Sequence, residues 1–226
     1  MDEKKIKVVF EDETLMVVDK PPFLVTTKER KGETGTLEDW LSENRKIKLP
    51  RCGIVHRLDK GTSGLVIVAK TESALVNLKE QFKKRSVKKH YWAMVGGDLP
   101  LGGQIDMPIG RSKYGFSKFA VTTDGKRAET WFKVISKYRY KNKIYSFLEI
   151  ELKTGRTHQI RVHMNYLKWP LIGDKLYGGE EVEGLERPFL HAFEISFLHP
   201  VTNQIVKLFS ELPADLENIK SGYEKP

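Results

Sequence analysis

The sequence predicts an α+β fold in which most strands pair in antiparallel fashion. Three observations indicate this class. Segments rich in β-branched and aromatic residues come in pairs joined by short polar turns. Other segments repeat apolar residues at the three-to-four-residue spacing of a helix. The strands and helices follow one another without the regular alternation that a parallel α/β fold requires.

In the first half of the chain, the period of the apolar residues and the capping residues indicate the elements. A hairpin turns around the acidic residues 11–13, and the apolar run 65–69 predicts a buried strand. Thr71 is placed to cap a helix whose apolar residues are Ala74, Leu75, Leu78 and Phe82. The predicted elements are therefore two hairpin strands (6–10 and 15–18), a short helix (37–41), a strand (65–69) and the helix after Thr71.

The second half predicts more strands and one helix. Thr157 is placed to cap that helix, whose inner face carries Ile160, His163, Met164 and Leu167 and which ends before Pro170. The glycine-rich and lysine-rich segment 98–127 predicts an irregular excursion or a long hairpin. The predicted strands are residues 91–95, 128–135 paired with 144–152, and 189–197 paired with 204–209 across the turn 200–203.

Composition limits the class of protein. The chain has 226 residues, 39% of them hydrophobic and 31% charged, which is typical of a globular domain. Its formal net charge of +9 favours a polyanionic partner, with nucleic acid first and an anionic membrane second, although a well-solvated lysine-rich surface gives the same charge. With Cys52 as its single cysteine, no signal segment and no long apolar run, we expect a cytoplasmic protein.

The segment His-Arg-Leu-Asp-Lys-Gly-Thr-Ser-Gly at residues 56–64 is the first candidate site. It carries Asp59 on a short loop immediately before the predicted strand 65–69. Gly61 and Gly64 allow unusual backbone angles, and Thr62 can bond to a turn or to a phosphate. The presence of Asp59 on this loop, in a basic protein that is expected to bind a polyanion, favours a catalytic role for its carboxylate. The structural alternative is a surface aspartate that ends a loop.

The segment 154–163, which contains Gly-Arg-Thr-His-Gln-Ile-Arg, is the second. On the predicted helix, Arg161 lies one turn from the start, where its guanidinium can pair with a carboxylate of another segment and keep it ionised. Phosphate binding or a structural ion pair are the alternatives. His158 and His163 are five residues apart, which does not match the spacing of four in the zinc motif, so we expect no metal.

An aromatic strand follows a basic helix and forms the third candidate. Tyr91 and Trp92 come shortly after a lysine-rich segment that includes Lys83 and Lys84. Aromatic strand residues usually pack in a core, but one face here could stack on a nucleic-acid base. Because side chains alternate along a strand, only one of the two rings can enter a cleft.

Together these segments resemble the RluA-type family of RNA pseudouridine synthases. The resemblance covers most of the chain: it begins at Phe10-Glu11-Asp12-Glu13, passes through the three segments above and Leu-Ile-Gly-Asp-Lys-Leu-Tyr-Gly at 171–178, and ends at Leu190-His191-Ala192. It implies a mixed, mostly antiparallel central sheet with flanking helices and a basic cleft. It also implies a single catalytic domain over residues 1–226, with room for two lobes around one continuous sheet. The pattern starts near residue 10, so we expect no S4-type RNA-binding module.

The resemblance also implies roles for individual residues. Asp59 matches the catalytic aspartate, Arg161 the arginine that pairs with it, and Tyr91 the tyrosine that stacks on the flipped base. Arg57 resembles the residue that fills the space the base leaves. The RNA-binding residues that we expect are Arg57, His56, Thr62, Lys83, Lys84 and Arg156.

The implied activity is isomerisation of specific uridines to pseudouridine in ribosomal RNA, transfer RNA or both, by a monomer without cofactor or metal. Asp59 could attack C6 or C1′ of the uridine, or trigger elimination to a glycal. A non-catalytic RNA-binding or RNA-remodelling protein on the same scaffold is the alternative. A metal-dependent nuclease is disfavoured because the sequence lacks the clustered acidic residues of a two-metal site.

Overall fold

The computed structural model describes residues 6–28, 32–113 and 118–225, which form two compact units. The first unit contains the chain up to Lys88 and Ala192–Glu211, and the second contains Lys89–His191 and the chain from Leu212. The strands are β1 (Lys7–Glu11), β2 (Leu15–Lys20), β3 (Ser63–Ala69), β4 (Lys88–Gly96), β5 (Gly102–Asp106), β6 (Ile109–Arg111), β7 (Phe119–Val121), β8 (Glu129–Tyr140), β9 (Lys143–Leu152), β10 (Leu190–Leu198) and β11 (Ile205–Phe209). The helices are α1 (Leu37–Arg45), α2 (Glu72–Lys83), α3 (Gln159–Tyr166) and α4 (Ala214–Ser221).

The first unit is a sheet in the order β1-β2-β3-β10-β11. The pairs β1–β2, β2–β3 and β10–β11 are antiparallel. Every residue of β3 is buried, which explains its continuous apolar sequence, because a strand covered on both faces needs no polar alternation. Helix α2 packs Ala74, Leu75 and Leu78 into the cluster that contains Leu65 and Ile67 of β3. As predicted, the Thr71 hydroxyl caps this helix and accepts the Ala74 N–H.

The second unit contains the antiparallel order β4-β9-β8-β5. Strands β8 and β9 meet in a two-residue turn, Lys141-Asn142, in which both residues have positive φ angles of 45° and 62°. Such a turn matches the right-handed twist of the paired strands. Leu216 of α4 packs into a core cluster that includes Met94, Phe147 and Phe189.

The predicted α+β class with a mostly antiparallel sheet is confirmed, and so are the hairpins of β1 with β2, β8 with β9, and β10 with β11. The excursion 98–127 forms β5, which pairs with β8, and the small hairpin of β6 with β7; residues 114–117 of it lie outside the described residues. Helix α4 was not predicted from the sequence.

The predicted cap at Thr157 is wrong. Helix α3 begins two residues later at Gln159, and its N-cap is His158, which has a left-handed φ of 56°. No side chain caps this helix. The Gln159 Oε1 instead accepts the Arg156 N–H at 2.9 Å, which closes the turn before the helix.

Candidate active site

A network of backbone and hydroxyl bonds fixes the loop that carries Asp59. The Thr62 N–H donates to the Asp59 carbonyl at 3.0 Å, which closes a tight turn directly after the aspartate. One residue earlier, the Leu58 carbonyl accepts the Thr26 hydroxyl at 2.8 Å, and the Leu58 N–H donates back to that hydroxyl at 3.2 Å. The loop is therefore held at both ends, and it leaves the Asp59 residue half-buried.

Gly64 is required where this loop enters β3. Its φ is +117°, and a Cβ at this position would lie 2.2 Å from the carbonyl oxygen of Ala192 in β10. Any side chain would push the two strands apart, so only glycine lets the loop run directly into the sheet. The glycine that the sequence analysis noted is thus explained by a close backbone approach.

His56 lies between β3 and α2. Its Nε2 accepts the Ile67 N–H at 3.0 Å, which places the proton of the neutral imidazole on Nδ1, and its ring stacks on Phe82 with centroids 4.9 Å apart. One nitrogen and one ring face are therefore occupied by contacts that support the loop. The RNA contact expected of His56 stays a prediction.

The other expected RNA-binding residues of the first unit differ in accessibility. Arg57 is exposed. Lys83 and Lys84, at the end of α2, have side chains that are 81% and 71% exposed and lie 3.7 and 3.6 Å from the Glu80 carboxylate. Thr62 is only 3% exposed, which disfavours a contact between its hydroxyl and an RNA phosphate. The loop arginine and the end of α2 are the accessible cations of this set.

In the second unit, strand register places Tyr91 on the face of the sheet that α3 covers. Tyr91 is opposite Ile150 of β9, and Ile150 is opposite Phe132 of β8. Directly opposed residues share a face, as do residues two apart on one strand, so Thr130 also lies on the face of Tyr91. The Thr130 hydroxyl bonds to Gln159 and to His163 Nδ1, both on α3.

Trp92 points to the opposite face, as the alternation of strand residues predicts. Its ring packs 6.2 Å from the rings of both Phe147 and His191, in a cluster that includes α4. Tyr91 itself is 6% exposed. Of the two aromatic residues, Trp92 is therefore the one in the α4 core, and Tyr91 is the one on the side of Arg161.

Two polar residues of α3 anchor it to the sheet. Gln159 accepts the Thr154 hydroxyl at 2.7 Å and donates to the Glu129 carbonyl at 3.0 Å. His163 bonds to Thr130 and, through Nε2, to the Met107 carbonyl at 3.0 Å, and burial lowers its pKa. These bonds are local to the second unit and fix the rotation of the helix about its axis.

Arg161 is buried on this helix and held in a bidentate ion pair. Its Nε and Nη2 donate to the two carboxylate oxygens of Asp174 at 2.7 and 2.8 Å, and its guanidinium lies 5.0 Å from the ring centroid of Tyr177. Arg161 therefore pairs with a carboxylate of another segment of its own unit, Asp174. The pairing with Asp59, a residue of the first unit, stays a prediction.

Asp174 and Tyr177 were quoted in the resemblance but not identified as site residues. Asp174 also accepts the Tyr177 N–H at 3.3 Å, which caps the short 3₁₀ turn Lys175–Tyr177. The Tyr177 hydroxyl bonds to His158 Nδ1 at 2.9 Å and accepts the Phe119 N–H at 3.0 Å. The available signal was an aspartate placed directly after the apolar pair Leu171-Ile172 and a glycine, which indicates a carboxylate carried into the interior.

Lys89 and Arg156 add positive charge on the second unit. Burial lowers the pKa of the Lys89 amine to about 8. Its Nζ lies 3.8 Å from the point where a Cβ on Gly155 would be, and strand alternation places it on the same face as Tyr91. Arg156 is half-buried, and its Nε donates to the Arg127 carbonyl at 3.0 Å. Lys89 was missed by the sequence analysis because burial of a lysine cannot be deduced from a basic segment.

Among the residues that the structure describes, no group of three or more histidine, cysteine, aspartate or glutamate side chains is placed to hold a metal ion. The two histidines considered for a metal are bonded to Tyr177 and to Thr130 with Met107. Within the same described ranges, no helix has the length and hydrophobicity to cross a membrane.

Comparison with known proteins gives the family. Residues 14–166 match the family model described as RNA pseudouridylate synthase. The protein named ribosomal large subunit pseudouridine synthase D from Xanthomonas campestris is 39% identical over 96% of this chain and 69% of its own length, and the protein of the same name from Nitrosomonas europaea is 40% identical over 93% and 63%. The relatives are thus longer than this chain.

A solved structure agrees. Human RNA Pseudouridylate Synthase Domain Containing 1 superposes with a TM-score of 0.77 at 27% identity, over 99% of this chain and 89% of that one. The family match spans β2, the Asp59 loop, Tyr91 and α3, so it includes the segments on which the resemblance was based. The chain belongs to the RNA pseudouridylate synthase family.

Proposed function

We propose that this protein isomerises uridine to pseudouridine in large-subunit ribosomal RNA. The family membership supports the reaction, and the relatives' names support the choice of RNA. The observation that carries the proposal is a half-buried aspartate on a rigid, glycine-shaped loop in a chain that also carries a buried, oriented Arg161. We further propose that the chain acts as one catalytic domain.

The reaction breaks the N1–C1′ bond, turns the uracil and forms a C5–C1′ bond. C5 loses its proton and N1 gains one, so that atoms balance without a donor or a redox step. We assign Asp59 as the catalytic carboxylate, which acts at C6, at C1′ or in elimination to a glycal. Arg161 would keep that carboxylate ionised through its positive charge. Tyr91 would stack on the flipped uracil, a contact worth about 1–3 kcal/mol.

The uridine must leave its stack before it reacts, at a cost of a few kcal/mol. The exposed Arg57 is assigned to the space that the base leaves, and Lys83 and Lys84 to phosphate contacts. Together with the stacking on Tyr91, these contacts would offset the cost of flipping.

The test is Asp59→Asn, which keeps the size of the side chain and removes its charge. Wild-type and variant proteins are incubated with ribosomal RNA transcripts, pseudouridine is mapped by site, and RNA affinity is measured by filter binding. We expect loss of pseudouridine formation with RNA affinity within about threefold. Asp98→Asn, an exposed carboxylate on the second unit, controls for the change of charge.

Wild-type turnover by Asp59→Asn would refute the assignment of the aspartate. A wild-type protein that binds ribosomal RNA but forms no pseudouridine would favour the non-catalytic alternative. Modification of transfer RNA alone would retain the reaction and change the substrate.

A further inference from the structure

Among the described residues of the second unit, two buried arginines form bidentate pairs with aspartates, and only one pair involves a predicted site residue. Arg187 donates to Asp215 at 2.6 and 2.9 Å, which attaches α4 to its own unit. Arg161 donates to Asp174 with almost the same geometry. The Arg187 pair serves as a structural comparison for the Arg161 pair.

We propose that Asp174 and Tyr177 are positioning residues for the isomerisation, because together they fix the direction of the Arg161 guanidinium. This inference rests on the proposed function, in which Arg161 acts on the catalytic carboxylate. Neither Asp174 nor Tyr177 is assigned a contact with the substrate.

The geometry of the guanidinium supports this role. The group is planar and carries five N–H donors, so two bonds to one carboxylate fix the plane and the directions of the other three donors. The Arg161 Cζ lies over the Tyr177 ring, 5.0 Å from its centroid. Arg161 is thus held by two bonds to Asp174 and by contact with the Tyr177 ring.

The turn that carries both residues is closely packed. Gly173, just before Asp174, has a φ of +73°, and a Cβ there would lie 2.2 Å from the Arg187 carbonyl oxygen. A Cβ on Gly179 would lie 1.9 Å from the Leu171 carbonyl oxygen. The backbone on both sides of Asp174 therefore packs directly against other backbone, which supports the position of Asp174 beside Arg161.

Stability alone does not require this pair. Asp174 is 1% exposed, and the cost of removing two charges from water commonly equals or exceeds the gain from their attraction. What the pair does supply is a fixed orientation of the Arg161 guanidinium. Catalysis depends on such orientation, and a misplacement of about 1 Å can cost on the order of 100-fold in rate.

The test compares Asp174→Asn with Asp215→Asn. Asparagine at 174 keeps an oxygen for the Tyr177 N–H but turns an NH₂ group toward an arginine N–H, so the bidentate pair is lost. We expect the single-turnover rate of Asp174→Asn to fall about 100-fold with RNA affinity within about threefold. Asp215→Asn breaks the equivalent structural pair, and its rate should stay within about threefold of wild type.

Three further measurements separate positioning from general destabilisation. In an Arg161→Ala background, Asp174→Asn should change the rate by less than about threefold, because a residue that acts through Arg161 has no effect without it. Tyr177→Phe, which keeps the ring, should retain more activity than Tyr177→Leu. The NMR signal of the Arg161 Nε–H should be sharp in the wild type and broadened in Asp174→Asn.

Equal rate losses in Asp174→Asn and Asp215→Asn, or additive losses with Arg161→Ala, would overturn the positioning role. An unchanged Arg161 Nε–H signal in Asp174→Asn would also overturn it, whatever the enzymatic result. Failure of the proposed function is seen separately, as absence of pseudouridine in the wild-type reaction.

Discussion

A pair of residues far apart in sequence predicts the acid stability of the first unit. The Asp12 carboxylate accepts the Thr14 and Leu15 N–H groups at 2.7 and 2.9 Å, and its second oxygen lies 2.6 Å from His199 Nε2. Partial burial raises the pKa of Asp12, but the bonds from His199, Leu15 and Thr14 outweigh it and lower the pKa from 3.8 to about 2. The carboxylate therefore joins the β1–β2 turn to the β10–β11 turn.

The direction of this pKa shift decides whether the stability rises or falls with pH. A carboxyl group with a depressed pKa in the folded state adds stability above its unfolded pKa, and this stability is lost as the pH falls through the folded value. A shift from 3.8 to about 2 corresponds to about 2.4 kcal/mol at 1.36 kcal/mol per pKa unit. The Asp12 side chain is 31% exposed, so solvent screening reduces the expected contribution to about 1–1.5 kcal/mol.

The variant Asp12→Asn tests this value. His199 Nδ1 accepts the Val201 and Thr202 N–H groups, so its Nε2 carries the proton and faces the carboxylate. In the variant, Oδ1 can still accept the Thr14 and Leu15 N–H groups, but the Nδ2 group then faces His199 and cannot accept a hydrogen bond from Nε2–H. Urea unfolding of wild type and variant between pH 2 and 7 should show a difference of about 1–1.5 kcal/mol at pH 6 that narrows below pH 4.

A difference in unfolding free energy that stays constant from pH 7 to pH 2 would refute the titration of Asp12 as its cause. No difference at pH 6 would refute the contribution of the pair itself. His199→Asn offers its Oδ1 to the Val201 and Thr202 N–H groups and removes the bond to residue 12, so in the Asp12→Asn background it should add little.

Two further predictions follow from the candidate site. Lys83→Glu combined with Lys84→Glu should weaken RNA binding and reduce the slope of log affinity against log salt by roughly 1–2. The control is the same charge change at Lys141 and Lys143. Equal slopes for the two double variants would show that the end of α2 does not contact the RNA. Gly64→Ala should destabilise the first unit by more than the roughly 1–2 kcal/mol of left-handed backbone strain, because its Cβ would also meet a backbone oxygen at 2.2 Å. Thermal unfolding measures that loss, and a wild-type melting temperature would contradict the close approach of β3 and β10.

The sequence by itself determined the elements and the candidate residues that local patterns encode. The continuous apolar run at 65–69 predicts a strand that is covered on both faces, without information from any other segment. The apolar spacing after Thr71 likewise predicts a helix with one buried face. The segments around Asp59, Tyr91 and Arg161 were identified from short motifs, because their residue types and spacing lie within a few positions of one another.

Only the tertiary structure decided which carboxylate Arg161 holds within its unit, and that Gln159 rather than Thr157 closes the start of α3. It also showed that Lys89 is half-buried and that Asp12 contacts His199. The Arg161–Asp174 and Asp12–His199 contacts join residues 13 and 187 positions apart. Thr157 was misassigned because a local cap signal cannot report the bonds that Gln159 makes to β8. Periodicity and capping act over one or two turns of chain, whereas burial and ion pairing depend on which segments the fold brings together.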